Sequence, residues 1–230
     1  MFGEPFYHST LRKTVIAFGS LFNNIFVQRT QDDDSIKIKV PIIYSTKETF
    51  FHRYKDALKR GEGEAVIQTI LPKLGFEIGE IEYDSSRKKP TINKRVAEVT
   101  ENGTKSLIMT YTEVPYNVTF NLVGYFRFMD DALQVAEQIL PYFTPDFVVS
   151  IKQDVLGEEG EKMNIPIVLN STGLLTSYEG AMELDPRIIM WNYSFTAKIN
   201  FFGPATNVGN TGSVIKYVEA NIFDAFPEVE

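Results

Sequence analysis

The stretch VPYNVTFNLVGYFRF, residues 114–128, carries the clearest fold signal in the chain. Apolar and polar side chains alternate along it, and this period of two is typical of a β-strand with two different faces. Four polar residues share one face, namely Asn117, Thr119, Asn121 and Arg127. The apolar face takes Val114, Tyr116, Val118, Phe120, Leu122, Phe126 and Phe128. The sequence therefore predicts a long strand here.

Amphipathic helices are predicted on both sides of this strand in the chain. The first spans residues 9–23, because apolar residues recur there at spacings of three and four, and Ser9 or Thr10 can cap it. The second begins at Asp130 or Asp131, whose carboxylates suit a helix N-terminus. A third is predicted from the capping box at 45–48 to about residue 60.

Further predicted strands indicate the fold class. Alternation or apolar runs place them at residues 24–30, 35–44, 74–83, 146–153, 164–170, 187–202 and 213–223. Gly79 within the third of these indicates a bulge. Residues 84–105 are expected to be a mobile, solvated loop, and residues 203–212 a flexible one. The sequence thus predicts an α+β fold, an antiparallel-rich mixed β-sheet with helices packed on one side.

Composition bounds the function classes. The 230 residues fit a single domain, 1–230, and carry a net charge of −7, which is unusual for a free nucleic-acid binder. The absence of cysteine excludes disulfides, thiol nucleophiles and Cys-ligated metals. No apolar run approaches the ~18 residues of a membrane span, so no membrane partner is expected.

No motif for catalysis, metal or cofactor binding is found. His8 and His52 lie in different predicted elements without spaced metal ligands, and both are expected at a surface or interface. Asp130 and Asp131 would act as a general acid–base pair only if a cleft collected them, whereas helix capping explains both more simply. The residues therefore predict no enzyme, no cofactor and no metal site.

Several charged or polar groups are candidates for subunit contacts. Arg12 and Lys13 fall in the first turn of a helix, where the helix dipole disfavours positive charge. Either a carboxylate of the same chain or an acidic partner surface compensates them. The basic run at 87–95 can face an acidic stretch such as 158–161. The candidate interface residues are Arg12, Lys13, Arg87, Lys88, Lys89, Gln134, Glu137 and Gln138, the last three facing away from the apolar side of their helix.

Several blocks occur in a specific order along residues 1–200. They include Met1-Phe2-Gly3, Leu21-Phe22-Asn23-Asn24-Ile25, Val40-Pro41-Ile42, Thr69-Ile70-Leu71-Pro72, Glu137-Gln138-Ile139-Leu140-Pro141-Tyr142-Phe143 and Ile167-Val168-Leu169. In order and spacing they resemble the tail sheath stabiliser and completion proteins of T-even-like contractile phages. Residues 84–105 and the segment after residue 202 depart from that pattern.

The resemblance implies a structural role in a virion. It implies a six-fold ring at the head-proximal end of the tail, which caps the tube terminator and sheath and holds the extended sheath until firing. The implied partners are copies of the same chain, the tail sheath protein, the tube terminator and the head–neck proteins, with assembly in the host cytoplasm. DNA would pass through the ring without sequence-specific binding.

Three other functions stay open. A tube terminator or neck adaptor belongs to the same structural class, and the position of the ring on the tail distinguishes it. A carboxylate-based hydrolase requires a cleft that gathers Asp130, Asp131 and a histidine. A small-ligand-binding module requires a closed apolar pocket within one subunit.

Overall fold

The computed structural model describes residues 5–31, 34–50, 52, 71–101, 104–153, 161–176 and 188–209. Two α-helices are α1 (Thr10–Leu21) and α2 (Met129–Ile139), and two 3-10 turns span Ser85–Arg87 and Leu140–Tyr142. Residues 47–50 and 52 are also helical. The strands are β1 (Phe26–Gln31), β2 (Asp34–Lys39), β3 (Ile42–Tyr44), β4 (Lys73–Tyr83), β5 (Lys94–Glu101), β6 (Thr104–Tyr111), β7 (Val114–Phe126), β8 (Asp146–Gln153), β9 (Glu161–Thr176), β10 (Ile189–Phe201) and β11 (Thr206–Gly209).

The central sheet has six strands in the order β3-β4-β7-β10-β9-β8. All its pairs are antiparallel except β3 and β4, which run parallel. The strand predicted at 114–128 is confirmed as β7, which lies inside the sheet between β4 and β10. Two smaller sheets accompany it, the hairpin β1-β2 and the three-stranded sheet β11-β6-β5.

The core lies between one face of the central sheet and the helices α1 and α2. Phe18 of α1 is fully buried, and its ring stacks on Phe120 of β7 at a centroid distance of 4.4 Å. The same ring meets Phe195 of β10 edge-on at 5.4 Å. Val135 and Ile139 of α2 are buried in this cluster too. The apolar stripes of both predicted helices and the buried residues of β7 therefore form one core, whereas Val114 and Phe128, predicted on the same face of the strand, are exposed.

A smaller apolar cluster covers part of the opposite face of the sheet. Phe50, from the helical residues 47–50, stacks on Tyr125 of β7 at 3.7 Å. Val123, Leu71 and Ile188 are buried around them. The α+β class and the mixed sheet are confirmed, but helical residues pack on both faces of the sheet and not on one alone.

The bulge predicted at Gly79 is confirmed. The register of β4 against β7 shifts between Ile78 and Ile81, so two residues of β4, Gly79 and Glu80, lie opposite one residue of β7. The pairing resumes beyond the bulge with Ile81 opposite Val118 and Glu82 opposite Asn117. Gly79 has no Cβ, and a Cβ there would lie 3.3 Å from the side-chain amide of Asn121.

Four local expectations are wrong. Residues 94–101 within the expected loop 84–105 form β5, which pairs with β6 over its whole length, and Thr206–Gly209 within the second expected loop forms β11. Ser9 precedes α1 without a side-chain cap and has a φ of 56°. Phe128 holds the corresponding place before α2, so neither aspartate caps that helix. Both aspartates lie instead in its first turn, where negative charge is favoured.

Three predicted features lie outside the described residues. These are most of the helix predicted to about residue 60, most of the acidic stretch 158–161 and the strand predicted at 213–223. In the part of the chain that is described, no helix is long and apolar enough to span a membrane.

Candidate functional site

The groups considered for catalysis each have a structural contact elsewhere. Asp131 is buried and bound to Arg29, and Asp130 accepts a hydrogen bond from the Gln134 amide at 2.6 Å. The ring Nε2 of His8 lies 2.9 Å from the carbonyl oxygen of Gly203, while His52 is exposed. No hydrogen bond among the described residues joins a histidine to either aspartate, so the geometry there offers no acid–base pair.

A groove of about 370 Å³ lies on the sheet face opposite the main core. Asn121, Ser171, Asn192 and Ser194 line it, together with Lys47 from the helical residues 47–50. The lining also includes the apolar Leu122 and Val123, but the groove is open, unlike the closed apolar pockets that usually hold small ligands. Within the described ranges, no group of three or more His, Cys, Asp or Glu side chains is placed to hold a metal ion.

Arg12 and Lys13 lie in the first turn of α1, as predicted, and no acidic residue shares that turn. Lys13 donates a hydrogen bond of 2.8 Å to the backbone carbonyl of Lys152 in β8. A carbonyl dipole of the same chain therefore engages Lys13, rather than the carboxylate that one interpretation required. Arg12 is exposed on the outer side of the helix next to Ile16, which is also exposed.

Arg87 is held within the subunit. Its Nε donates to Asp84 at 2.7 Å, and its Nη2 donates to the Tyr116 carbonyl at 3.1 Å and to Asn117 at 3.2 Å. Hydrogen bonds from the Ser86 side chain and from Arg87 hold the pKa of the Asp84 carboxyl well below its usual range. Arg87 thus fixes the 3-10 turn against β7, and few of its donors are free for a neighbour.

Lys88 and Lys89 differ in their surroundings. Lys89 forms an ion pair with Glu113, which also lies 3.9 Å from Arg95. Burial alone would raise the pKa of Glu113, but the hydrogen bond from Lys89, a backbone hydrogen bond and the charges of Lys89 and Arg95 together leave the pKa lowered. Lys88 is exposed. Lys88 is therefore more accessible to a neighbouring subunit than Lys89.

Gln134 and Gln138 of α2 bind the backbone of β1. The Gln134 amide accepts from the N–H of Gln28 at 2.8 Å and donates to its carbonyl at 2.9 Å. Gln138 does the same at Phe26, with distances of 3.3 and 2.7 Å. The two glutamines thereby occupy the edge of β1 that does not face β2, in place of a neighbouring strand. Glu137 between them is exposed.

The other edge of the hairpin is open and basic. No described strand pairs with β2 on the side away from β1. Lys37 and Lys39 are exposed on one face of β2, and Ile36 on the other is 47% exposed. Lys37 also lies over the ring of Phe26 at 4.4 Å. We call residues Ser35–Lys39 of β2 the basic edge.

A second open edge is acidic. β3 pairs with β4 only as far as Phe76, and no described strand covers that side of β4 beyond it. All five residues from Gly79 to Tyr83 are exposed, with Ile81 at 45% and Tyr83 at 46%. Glu80 and Glu82 alternate with those two apolar side chains. We call residues Gly79–Tyr83 of β4 the acidic edge.

Sequence reasoning found only part of this surface. The alternation of Ile36, Lys37, Ile38 and Lys39 predicted a strand, which the structure confirms as β2. The acidic edge was missed, although Glu80 and Glu82 stand on either side of Ile81 in the same alternating pattern. That β4 lacks a neighbour there depends on where β3 ends, which the local pattern does not show.

Comparison with known proteins assigns the family. A family profile described as T4-like virus Myoviridae tail sheath stabiliser matches residues 5–230, including both stretches expected to depart from the pattern. The chain is also 30% identical over 197 residues to "Tail completion protein gp15" of Enterobacteria phage T4, covering 85% of this chain and 71% of that protein. A family of structural tail proteins points away from an enzyme. The chain therefore belongs to the tail sheath stabiliser family of T4-like Myoviridae and is a structural protein of the phage tail.

Proposed function

We propose that this chain forms a six-fold ring at the head-proximal end of a contractile phage tail. There it caps the tube and the sheath, stabilises the extended sheath and provides the surface on which the head and neck dock. The observation that carries the proposal is the family match over residues 5–230. The T4 relative is named a tail completion protein, and this name supports a role in completing the tail.

The surface of the subunit is compatible with a ring. A cyclic ring is built from heterologous contacts, in which each subunit offers two different complementary patches to its two neighbours. The basic edge and the acidic edge are two such patches on one chain. The further partners proposed are the tail sheath protein, the tube terminator and the head–neck proteins.

DNA would pass through the central opening without sequence-specific binding. The net charge of −7 supports this part of the proposal, because a protein that binds DNA through its phosphates needs a surplus of basic groups. Assembly is proposed to take place in the host cytoplasm, and the mature location is the head-proximal tail of the virion.

Reconstitution tests the proposal. Purified chain is added to cognate contractile tails assembled without it, and the particles are imaged by negative-stain electron microscopy. A new ring at the head-proximal tip, with fewer spontaneously contracted sheaths, is expected. Tails that already carry the protein are the matched control and should gain no further density.

Two other results would contradict the proposal. Binding only to the exposed end of the tube, with no effect on sheath contraction, would favour a tube terminator. Failure of folded protein to bind the tails, followed by binding to heads, would favour a neck adaptor. Circular dichroism on the same preparation establishes that the protein is folded.

A further inference from the structure

The direction of backbone groups on the basic edge follows from the pairing of β2 with β1. The N–H of Val40 donates to the carbonyl of Ile25 at 2.9 Å, so Val40 points toward β1. Successive residues of a strand point their backbone groups in opposite directions. Ile38 and Ile36 therefore also point toward β1, whereas Ser35, Lys37 and Lys39 point outward from the edge.

The same reasoning applies to the acidic edge. The N–H of Asp84 donates to the carbonyl of Pro115 at 3.1 Å, so Asp84 points toward β7. Glu82, opposite Asn117 in the register, points the same way. Ile81 and Tyr83 consequently direct their N–H and C=O groups outward, where no described strand receives them.

We infer that the basic edge of one subunit pairs with the acidic edge of the next, as a parallel strand addition in which Lys37 lies opposite Glu80, Ile38 opposite Ile81 and Lys39 opposite Glu82. This inference rests on the proposed ring and names the contact that would join its subunits. Strand addition of this kind satisfies exposed edge groups through backbone hydrogen bonds, while side chains supply specificity.

Backbone geometry selects the parallel direction. In an antiparallel pair, the backbone groups of two opposite residues either both face the partner strand or both face away from it. Lys39, whose backbone groups face outward, therefore cannot lie opposite Glu82, whose backbone groups face β7. In a parallel pair, an outward residue bonds to the two residues that flank the one opposite it. Lys39 opposite Glu82 then bonds to Ile81 and Tyr83, which are the residues of β4 that point outward.

Side chains on both faces of the joined strands are complementary in this register. One face pairs two lysines with two glutamates, and the other pairs Ile38 with Ile81. Opposite charges and apolar pairs across neighbouring strands both stabilise a sheet, and like charges destabilise it. Pairing of two basic edges or of two acidic edges would place like charges together, so the chemistry favours a heterologous contact that can propagate around a ring.

Cross-linking tests the register directly, because the chain has no cysteine of its own. The variant Lys39→Cys/Glu82→Cys is assembled on tails and treated with a short thiol–thiol cross-linker. Denaturing gels are expected to show a ladder of multimers, whereas either single variant should yield none. The control Lys39→Cys/Ser150→Cys, with Ser150 exposed on β8, should also give no ladder.

The outcomes separate this inference from the proposed function. Rings visible on the tails without a ladder would overturn the strand pairing and leave the ring in place. Failure of the wild-type chain to form rings on the tails would contradict the proposed function itself, and with it the strand pairing that rests on it.

Charge exchange provides a second test. Lys39→Glu and Glu82→Lys are each expected to weaken ring occupancy of tails by about two- to fivefold per contact. The double variant Lys39→Glu/Glu82→Lys restores the opposite pair and should recover occupancy. A double variant as weak as the sum of the single variants would overturn the pairing.

Discussion

Arg29 of β1 and Asp131 of α2 form a two-point ion pair. The guanidinium Nη2 lies 2.5 Å from Oδ2 and Nε lies 3.2 Å from Oδ1. Asp131 is 2% exposed and Arg29 28% exposed, and the arginine also lies 5.0 Å from the centre of the Phe128 ring. The pair joins the hairpin to the first turn of the helix, so the position of the basic edge depends on it.

Asp131→Asn should therefore destabilise the subunit. Breaking a fully buried ion pair costs ~3–5 kcal/mol, and the partial exposure of Arg29 lowers the expected loss to about 1–3 kcal/mol. Urea denaturation followed by circular dichroism measures the change. Asp130→Asn is the matched control and should stay within about 0.5 kcal/mol of wild type. Equal losses for both variants would refute the structural role of Asp131.

Removing both glutamine contacts to β1 should loosen the hairpin. Gln134→Ala/Gln138→Ala loses the four hydrogen bonds to β1 and two more within α2, all partly accessible to water, for an expected cost of about 1–3 kcal/mol. Hydrogen exchange of the Phe26 and Gln28 amides should accelerate. The control Glu137→Ala, at the exposed position between the two glutamines, should change neither the stability nor the exchange rates. If stability held and only ring assembly failed, these glutamines would instead be contact residues, as the sequence predicted.

Gly124→Ala should destabilise the core. A Cβ at this position of β7 would lie 2.4 Å from the ring of Phe126, which is fully buried. The ring must shift, and such overpacking typically costs ~1–3 kcal/mol. Gly173→Ala on β9 is the control, because nothing lies within 4 Å of the added carbon. Thermal unfolding of the two variants measures the difference. Equal melting temperatures for Gly124→Ala and Gly173→Ala would contradict the prediction.

Acid should weaken the contact between Asp84 and Arg87. Because the folded pKa of Asp84 is lowered, its contribution to stability is present above the ordinary value of 3.8 and is lost as the pH falls below it. Asp84→Asn should be less stable than wild type at neutral pH, and the difference should narrow below about pH 3.8. Denaturation midpoints across pH 2–7 measure it. A difference that is constant with pH would show that the carboxylate charge is not involved.

Arg12→Glu should weaken assembly without unfolding the subunit. Arg12 is exposed, whereas Lys13 donates to Lys152, so the charge of Arg12 can be reversed without loss of a described contact. Ring occupancy of tails and circular dichroism are measured together. The double variant Arg12→Glu/Lys13→Glu should weaken assembly further. Unchanged assembly by both variants would exclude an acidic partner surface at this helix.

Features that repeat over short stretches could be predicted from the sequence. The alternation around Phe120 gave β7, the spacing of Phe18 and Phe22 gave the buried stripe of α1, and Gly79 marked the bulge of β4. Each of these features depends on which side of a strand or helix meets the core, and the periodicity of apolar residues in the sequence indicates that side. The order of residue blocks also indicated the family, which the profile match then confirmed.

Features that depend on pairing between distant segments could not be predicted in this way. Strands β5 and β11 lie where the sequence suggested loops, and β6, for which no strand was predicted, joins them in a sheet of their own, because a strand in a small sheet need not show strong alternation. Arg87 appeared to be a free cation until the fold brought Asn117 and Tyr116 to it from β7. Charge in a sequence does not reveal which backbone and side-chain groups will surround it.

By itself, the sequence determined the fold class, the buried faces of the main elements and the family, because local periodicity and the order of residue types suffice for these. Only the tertiary structure decided which edges remain open. The two glutamines of α2 occupy one side of β1, while β3 ends at Tyr44 and no other described strand covers that side of β4 beyond Phe76. Open edges arise where backbone hydrogen-bonding groups find no partner in space, and that is settled by the packing of the whole chain.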